Sequence, residues 1–302
     1  MKSPKSIITG GAGFVGSNLT DHLVSIGHKV IILDNFVTGK KSNLYHHKKK
    51  NVKIIKIDIS QNKNLDKYFK GIDYVFHLAG LAEIIPSIKN PEKYFINNVI
   101  GTLNVLEASR KGKIKKFIYA ASSSCYGAPK KFPTSEKDKI DLKHPYALTK
   151  FMGEEIVMNY ASQFGMPNIS FRFFNVYGPR LNTSGQYSAV IGNFLTQKKN
   201  KKPLTIVGDG KQTRDFIHVY DLADAFIKVI KSKSVNKIYN LGSGKKTSIN
   251  LIAKIFGGKK KFIPIRPGEP KNSLANISKI KKEIKWKPKI SIEEGIRKLL
   301  LN

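Results

Sequence analysis

The chain has 302 residues, enough to bury a core in one large domain or two modest ones, and no apolar run reaches membrane-spanning length. A strand pattern begins by about residue 6, leaving no room for a signal peptide, and the single cysteine, Cys125, excludes an internal disulfide, so a cytoplasmic protein is expected. The net charge of +33 invites a nucleic-acid reading, but lysines spread through nearly every segment and only six arginines argue against that partner, while the field still attracts anionic substrates. The nearest basic cluster, His46-His47-Lys48-Lys49-Lys50, is short, lies between two strand patterns, and reads as a solvated loop.

The first informative segment is Ile8-Thr-Gly-Gly-Ala-Gly-Phe-Val-Gly16, which closes an apolar run and opens a helical one. Gly10, Gly13 and Gly16 lie three apart, and Gly11, Gly13 and Gly16 satisfy G-x-G-x-x-G. Such glycines let a turn take positive φ and bring backbone N–H groups against a pyrophosphate at a helix N-terminus. Phe14, Val15, Leu19, Leu23 and Val24 then recur at helical spacing over 14–26, and Gly27 ends the run. A second strand, His28–Leu33, ends in Asp34, placed to accept both hydroxyls of an adenosine ribose and to repel a 2′-phosphate. NAD is therefore the expected cofactor, with no metal.

Further strands are expected at Ser6–Thr9, Val52–Ile57, Tyr74–Leu78, Lys116–Ala121 and Ile169–Phe174, with helical patterns at about 62–70, 91–111 and 146–164. Alternation of this kind implies an α/β fold with a doubly wound parallel sheet and right-handed crossovers. Asp58, at the end of the third strand, can accept an adenine amino group or simply cap a turn. Beyond residue 175 the rhythm loosens, with short strands at Pro203–Val207 and Phe262–Ile265. Val219–Ile230 and Lys237–Leu241 again look like a helix and a buried strand. The expected division is a Rossmann domain of 1–175 plus about 216–242. A smaller, discontinuous α/β substrate lobe takes about 176–215 plus 243–302, and the active site lies in the cleft between them.

Three Tyr-x-x-x-Lys pairs occur, Tyr45/Lys49, Tyr126/Lys130 and Tyr146/Lys150. Tyr45 leads into the basic loop, and Gly127 and Pro129 forbid a regular helix after Tyr126. Only Tyr146 begins a long helical pattern, with Pro145 suited to its first turn, so Tyr146 and Lys150 share one face. A neighbouring ammonium and an oxidised nicotinamide would both lower the phenol from its usual value of about 10. Ser122-Ser123-Ser124 follow the fifth strand at the carboxyl edge of the sheet, where a hydroxyl reaches both substrate and Tyr146; serines there also commonly cap a turn.

The chain resembles the extended short-chain dehydrogenases/reductases, and among them the nucleotide-sugar 4-epimerases. The resemblance covers nearly its whole length and rests on Thr9–Gly16, Leu33-Asp-Asn35, Asp58-Ile59, His77-Leu-Ala-Gly80, Asn97–Thr102, Ser122–Gly127, Tyr146–Lys150, Arg172–Arg180, Gly208–Phe216 and Arg266-Pro-Gly-Glu269. It implies that Ser122 is the catalytic hydroxyl, Tyr146 the base and Lys150 its ribose-bound partner. It further implies cofactor contacts from Gly10, Gly13, Phe14, Val15, Gly16, Asp34, Asn35, Asp58, Ile59, Leu78, Ala79, Asn98 and Phe174. Asn175 would hold a sugar diphosphate, Arg214 and Arg266 would clamp its phosphates, and Glu269 would hold the uridine ribose. Ser123, Ala189, Val190 and Ser273 complete the implied substrate contacts.

What the resemblance implies is reversible inversion at C4 of a UDP-hexose through a 4-keto intermediate. UDP-glucose/UDP-galactose and, because Ser273 is small, UDP-GlcNAc/UDP-GalNAc are the expected pairs. Dehydratases and decarboxylases of the superfamily place an acid between the catalytic hydroxyl and the Tyr-Gly pair, where this chain has Ser123, Ser124 and Cys125. Uronic-acid epimerisation stays open. Some relatives carry a lysine shortly after the His-x-Ala-Gly segment, where Ala82 and Glu83 stand here. The alternative from another class is a non-catalytic NAD-sensing protein, which would need neither Tyr146 nor Asn175 nor the two arginines. Pairing of the helices at 91–111 and 146–164 would make a homodimer.

Overall fold

A computed structural model describes residues 3–61, 64–183, 190–265 and 271–301. Its first part runs β1 (Lys5–Thr9), α1 (Phe14–Ser25), β2 (Lys29–Asp34), β3 (Val52–Lys56), α2 (Asp66–Phe69), β4 (Tyr74–His77), α3 (Ile84–Lys89), α4 (Pro91–Phe95), α5 (Gly101–Lys111), β5 (Lys116–Ser122), α6 (Pro145–Phe164) and β6 (Asn168–Phe173). The second part runs β7 (Asn175–Tyr177), α7 (Val190–Lys199), β8 (Leu204–Val207), β9 (Thr213–Arg214), β10 (Phe216–His218) and α8 (Val219–Lys231). It closes with β11 (Lys237–Leu241), β12 (Thr247–Ser248), α9 (Ile249–Phe256), β13 (Lys260–Ile263), α10 (Ser278–Ile284) and α11 (Ile292–Leu301).

Seven strands form one parallel sheet in the order β3-β2-β1-β4-β5-β6-β11. Because side chains alternate along a strand, Ile8, Phe76 and Ile118 feed one buried cluster while Ile7, Val75 and Phe117 feed another. Both faces are covered by helices, so the strands read as nearly unbroken apolar runs. The chain winds outward from β1 to β3 and then crosses to β4, so the order reverses between β1 and β4. A crevice opens beyond their carboxyl ends. β11 pairs with β6 from Lys237↔Ile169 to Leu241↔Phe173, at the bounds the sequence indicated.

A third cluster, including Tyr177, Phe194, Ile206, Phe216, Ile252, Phe256 and Ile296, lies among the later elements. There β8 pairs in parallel with β13 and β7 with β10, while two-residue β9 pairs antiparallel with β12. Two sequence expectations need correction. The helix expected over about 62–70 is only Asp66–Phe69 within the described residues. The single helix expected over 91–111 is broken by a π-helical turn at Ile96–Ile100. Its physical reason is Asn98, whose side chain bonds outward to a neighbouring loop instead of facing solvent, as described next.

Candidate active site

The glycine loop joins β1 to α1 at the sheet crevice. Gly10 sits at φ +69°, and a Cβ there would lie 2.8 Å from the Ala79 backbone; one on Gly16 would overlap the Gly10 carbonyl. Gly11 is pressed against Ile32, so all three are glycine because the fold itself leaves no room. Gly13 differs, since its Cβ would meet only the Gly10 carbonyl, at 3.2 Å. It is also the N-cap of α1, with no capping side chain and no acid in the first turn. The N–H groups of Phe14, Val15 and Gly16 therefore open a helix end suited to an anion, and Gly13 keeps side-chain bulk away from it.

Asp34 ends β2 and is buried. Its carboxylate accepts from Ala12 N at 2.9 Å and Phe36 N at 2.8 Å; burial raises its pKa against the pull of these bonds. It thus ties the glycine loop to the end of the second strand. β3 stops at Lys56, one residue short of the expected Ile57, and Asp58 lies beyond it. Asp58 accepts from Ser60 N and Oγ, closing a turn, and from Asn35 Nδ2 at 3.0 Å. Burial opposes these bonds, yet they hold its carboxyl below the usual range. Ile59 is buried beneath this edge, its carbonyl accepting from Asn104 Nδ2 at 2.8 Å.

On the other side of the crevice, Leu78 N and Ala79 N donate to Thr9 O and Oγ1. Asn98 is fully used by the protein. Its Oδ1 accepts from Leu81 N at 2.8 Å, and its Nδ2 donates to Leu81 O and to Thr149 Oγ1 on α6. It therefore stitches the loop after β4 to the helix that carries Tyr146. Phe174 is buried in the large core and its N–H donates to Leu241 O at 3.0 Å.

β5 is buried along its whole length and delivers Ser122 to the sheet edge. Ser122 Oγ accepts from Ser124 N, capping the short 3₁₀ turn Ser123–Tyr126, and donates to Ser124 Oγ at 3.1 Å, while the hydroxyl stands close enough to the Tyr146 phenol to pull its pKa down. Ser123 is half-buried beside it. Tyr146 occupies the first turn of α6, after N-cap His144 and Pro145, and its N–H donates to Ser87 Oγ at 3.1 Å. One turn on, buried Lys150 holds its ammonium 4.3 Å from the Tyr119 ring centroid.

In the protein alone, burial raises the Tyr146 phenol, opposed by the nearby Ser122 hydroxyl, and pushes the Lys150 ammonium down to about 7 against the pull of Glu154. The net shift of the phenol is thus upward, opposite to the expected lowering. An acidic phenol needs positive charge supplied by something bound.

Several residues that hold this arrangement escaped the sequence reading. Gly153 leaves no room for a side chain against Tyr119, whose hydroxyl donates to Lys150 O at 3.2 Å, so α6 is seated on β5 by close backbone approach. Arg172, on β6, is buried and pairs with Glu154 at 2.5 Å. It also donates to Tyr126 Oη at 2.8 Å, and Glu154 accepts from Ser170 Oγ at 2.8 Å. This network joins the serine turn, the helix carrying Tyr146 and Lys150, and the sheet. Arg180, which closes the Arg172–Arg180 segment, is paired with Asp21 instead.

The opposite wall comes from the smaller elements. Asn175 Nδ2 donates to Asp215 O at 3.3 Å, and its backbone N to the same oxygen. Ser273 lies beside β9 but outside any strand: its N donates to Thr213 O at 3.1 Å, and Arg214 Nη1 donates to that carbonyl too. Val190 is half-buried at the start of α7. Ala189, Arg266 and Glu269 lie outside the described residues. The organising group here is Asp215, fully buried and accepting from Ser243 N and Oγ, Gly244 N and Ala275 N. Its signal in the sequence was weak, one acid flanked by Arg214 and Phe216.

Fold and site together define a dinucleotide-binding enzyme of the Tyr/Lys type on a Rossmann sheet. The chain belongs to the NAD dependent epimerase/dehydratase family, whose model matches residues 6–242, and its cofactor is NAD. It is 37% identical over 304 residues to a putative UDP-glucose 4-epimerase of Methanocaldococcus jannaschii, covering 97% of this chain and 96% of that protein. It is 33% identical to a UDP-N-acetyl-alpha-D-glucosaminuronate decarboxylase of Bacillus cytotoxicus, covering 98% and 96%.

Among solved structures, a UDP-N-acetylglucosamine 4-epimerase from Methanobrevibacter ruminantium in complex with UDP-N-acetylmuramic acid matches with TM-score 0.93 and 36% identity, covering 98% and 97%. A UDP-glucuronic acid 4-epimerase from Bacillus cereus, in complex with UDP-glucuronic acid and NAD, matches with TM-score 0.89 and 32% identity, covering 97% and 96%. Among the described residues no helix is long and apolar enough to cross a membrane.

Proposed function

We propose that the protein is an NAD-dependent 4-epimerase of UDP-hexoses, acting on UDP-glucose/UDP-galactose and UDP-GlcNAc/UDP-GalNAc. The observation that carries this reading is the convergence at the sheet edge of Ser122, which ends β5, with Tyr146 in the first turn of α6, Lys150 one turn on, and only Ser123, Ser124 and Cys125 in the turn after Ser122. A base and a bridging hydroxyl are present there, and no carboxylate stands in that turn to drive elimination. The names of the epimerase relatives point the same way.

Bound NAD supplies reversible two-electron oxidation at the sugar carbon. Tyr146 takes the 4-hydroxyl proton, Ser122 relays between that hydroxyl and the phenol, and Lys150 holds the nicotinamide ribose. Inversion requires the sugar to present its other face while the diphosphate stays gripped. Asn175 and Arg214, with Arg266, serve that grip, because a guanidinium fork matches phosphate oxygens. Gly13 and the open end of α1 hold the cofactor pyrophosphate, and Asp34 its adenosine ribose.

The test is to incubate the purified protein with a panel of UDP-sugars and separate the products. The reading expects 4-epimers of the neutral and N-acetylated hexoses; release of carbon dioxide or exclusive turnover of UDP-glucuronate would replace it. Ser273, set beside Arg214, is the proposed wall of the sugar pocket. Ser273→Tyr should cut turnover of N-acetylated substrates about tenfold relative to UDP-glucose. Equal losses on both sugars would remove that role. Exposed Ile100, Leu103 and Phe164 on and beside α5 and α6 support the expectation of a homodimer.

A further inference from the structure

Away from the cleft, Asp21 on α1 meets His46 and His47 from the basic loop before β3. Both imidazole Nε2 atoms lie 2.8 Å from the same oxygen, Asp21 Oδ1. The two rings are 4.1 Å apart between centroids. The three donor atoms fall within 4.8 Å of one another. Asp21 Oδ2, facing the other way, is bonded by Arg180.

We infer that Asp21, His46 and His47 form a binding site for a divalent transition-metal ion of the zinc class. Two imidazoles and one carboxylate are a donor set such ions take, and with bonds of about 2.1 Å tetrahedral ligand atoms stand roughly 3.3 Å apart. Each nitrogen-to-oxygen spacing of 2.8 Å has to open by only about half an ångström to admit the ion. His47 is nearly buried (8% of its side chain exposed), whereas His46 is open (53%), which fixes one ligand and leaves a side of the site free for water as a fourth. Arg180 plays the outer partner that orients a ligating carboxylate through its second oxygen. Its positive charge, and Lys48 to Lys50 nearby, oppose any cation held by charge alone. That selects an ion that bonds imidazole nitrogen over magnesium or calcium.

The position gives such an ion a consequence. Lys40 N and Asn43 Nδ2 both donate to Ala12 O in the glycine loop, and Arg180 reaches Asn18 Oδ1 and Asn43 O. A metal at Asp21 therefore clamps α1, the 40–47 segment and the chain around Arg180 into one body beside the dinucleotide loop.

The experiment is a Co²⁺ titration of the intact protein followed by visible absorption, repeated on His46→Ala, His47→Ala and, as a control, His144→Ala at the start of α6. The inference expects one Co²⁺ per chain with four-coordinate d–d absorption, displaced by Zn²⁺. Affinity should fall roughly tenfold or more in the His46 and His47 variants and stay unchanged in the control. Zn²⁺ should raise Tm in the parent and the control but not in His46→Ala, whose metal-free Tm should match the parent because that ring is exposed. Absorption that stays that of the hydrated ion, or equal binding and equal Tm shifts in all four proteins, overturns it.

Discussion

The two walls of the cleft are built differently. The wall carrying Ser122, Tyr146 and Lys150 grows from the middle of a seven-stranded sheet and is tied down by buried side chains: Tyr119 under α6, Arg172 between Glu154 and Tyr126, and Asn98 between α6 and the loop after β4. The wall carrying Asn175, Arg214 and Ser273 consists of strands two or three residues long, held by backbone bonds and the single carboxylate Asp215. Proton transfer tolerates little displacement, whereas a phosphate can be followed by a long, flexible arginine. On the proposed roles, the division of rigidity matches that difference in tolerance.

Substitutions on the two walls should therefore fail in different ways. Tyr146→Phe should lower kcat about 10³-fold while NAD stays bound and Tm holds, read by steady-state kinetics and cofactor absorbance. A variant of near-normal kcat would break the assignment of the first wall. Glu154→Gln leaves the buried Arg172 guanidinium without its counter-charge and should cost about 3 kcal/mol in denaturant unfolding. A loss within 0.5 kcal/mol, a threshold of about the size of ordinary surface changes, would show that the network does not anchor α6. Arg214→Met, on the other wall, should raise KM for UDP-sugars by about tenfold to a hundredfold with kcat nearly unchanged. A fall in kcat alone would mean that this arginine acts on the reacting sugar and not on the tether.

The effect of pH is spread over several units and is small at any one step. Burial drives His77 down to about 3 and His218 to about 4. Below about pH 6.5 the unfolded chain binds protons at these positions that the folded chain refuses. Stability should then fall on acidification, through the window down to about pH 4 for His218 and about pH 3 for His77, by at most about 1.4 kcal/mol per pH unit for each. Lys150 gives a separate window: folded near 7 and unfolded near 10.5, it should make the NAD-free protein more stable as pH rises between those values. Chemical denaturation across pH, with Lys150→Met removing the alkaline part, separates the two.

Much of this was readable from local pattern. Strand bounds in the large sheet were legible to within a residue or so because parallel strands buried on both faces leave apolar runs that end abruptly. The Tyr146/Lys150 pair was legible because helix geometry puts residues four apart on one face. The later strands were harder, and β13 lies at Lys260–Ile263 where Phe262–Ile265 was expected, because short strands take their bounds from a partner rather than from their own residues. The break at Ile96–Ile100 could not be foreseen, since its cause, the bond between Asn98 and Leu81, joins residues seventeen apart.

By itself the sequence determined the doubly wound sheet, the glycine loop with its acid at the second strand, and the serine, tyrosine and lysine of the crevice. These depend on periodicity and on residue type at fixed spacing, both of which are local. Only the tertiary structure decided which charged groups are scaffold: Arg172, Arg180, Glu154 and Asp215 carry charges that a linear reading cannot separate from binding residues. Whether an ion pair is buried, and against what, is a property of strands and helices brought together from distant parts of the chain. The same reason applies to the phenol's pKa, which desolvation by the assembled core raises.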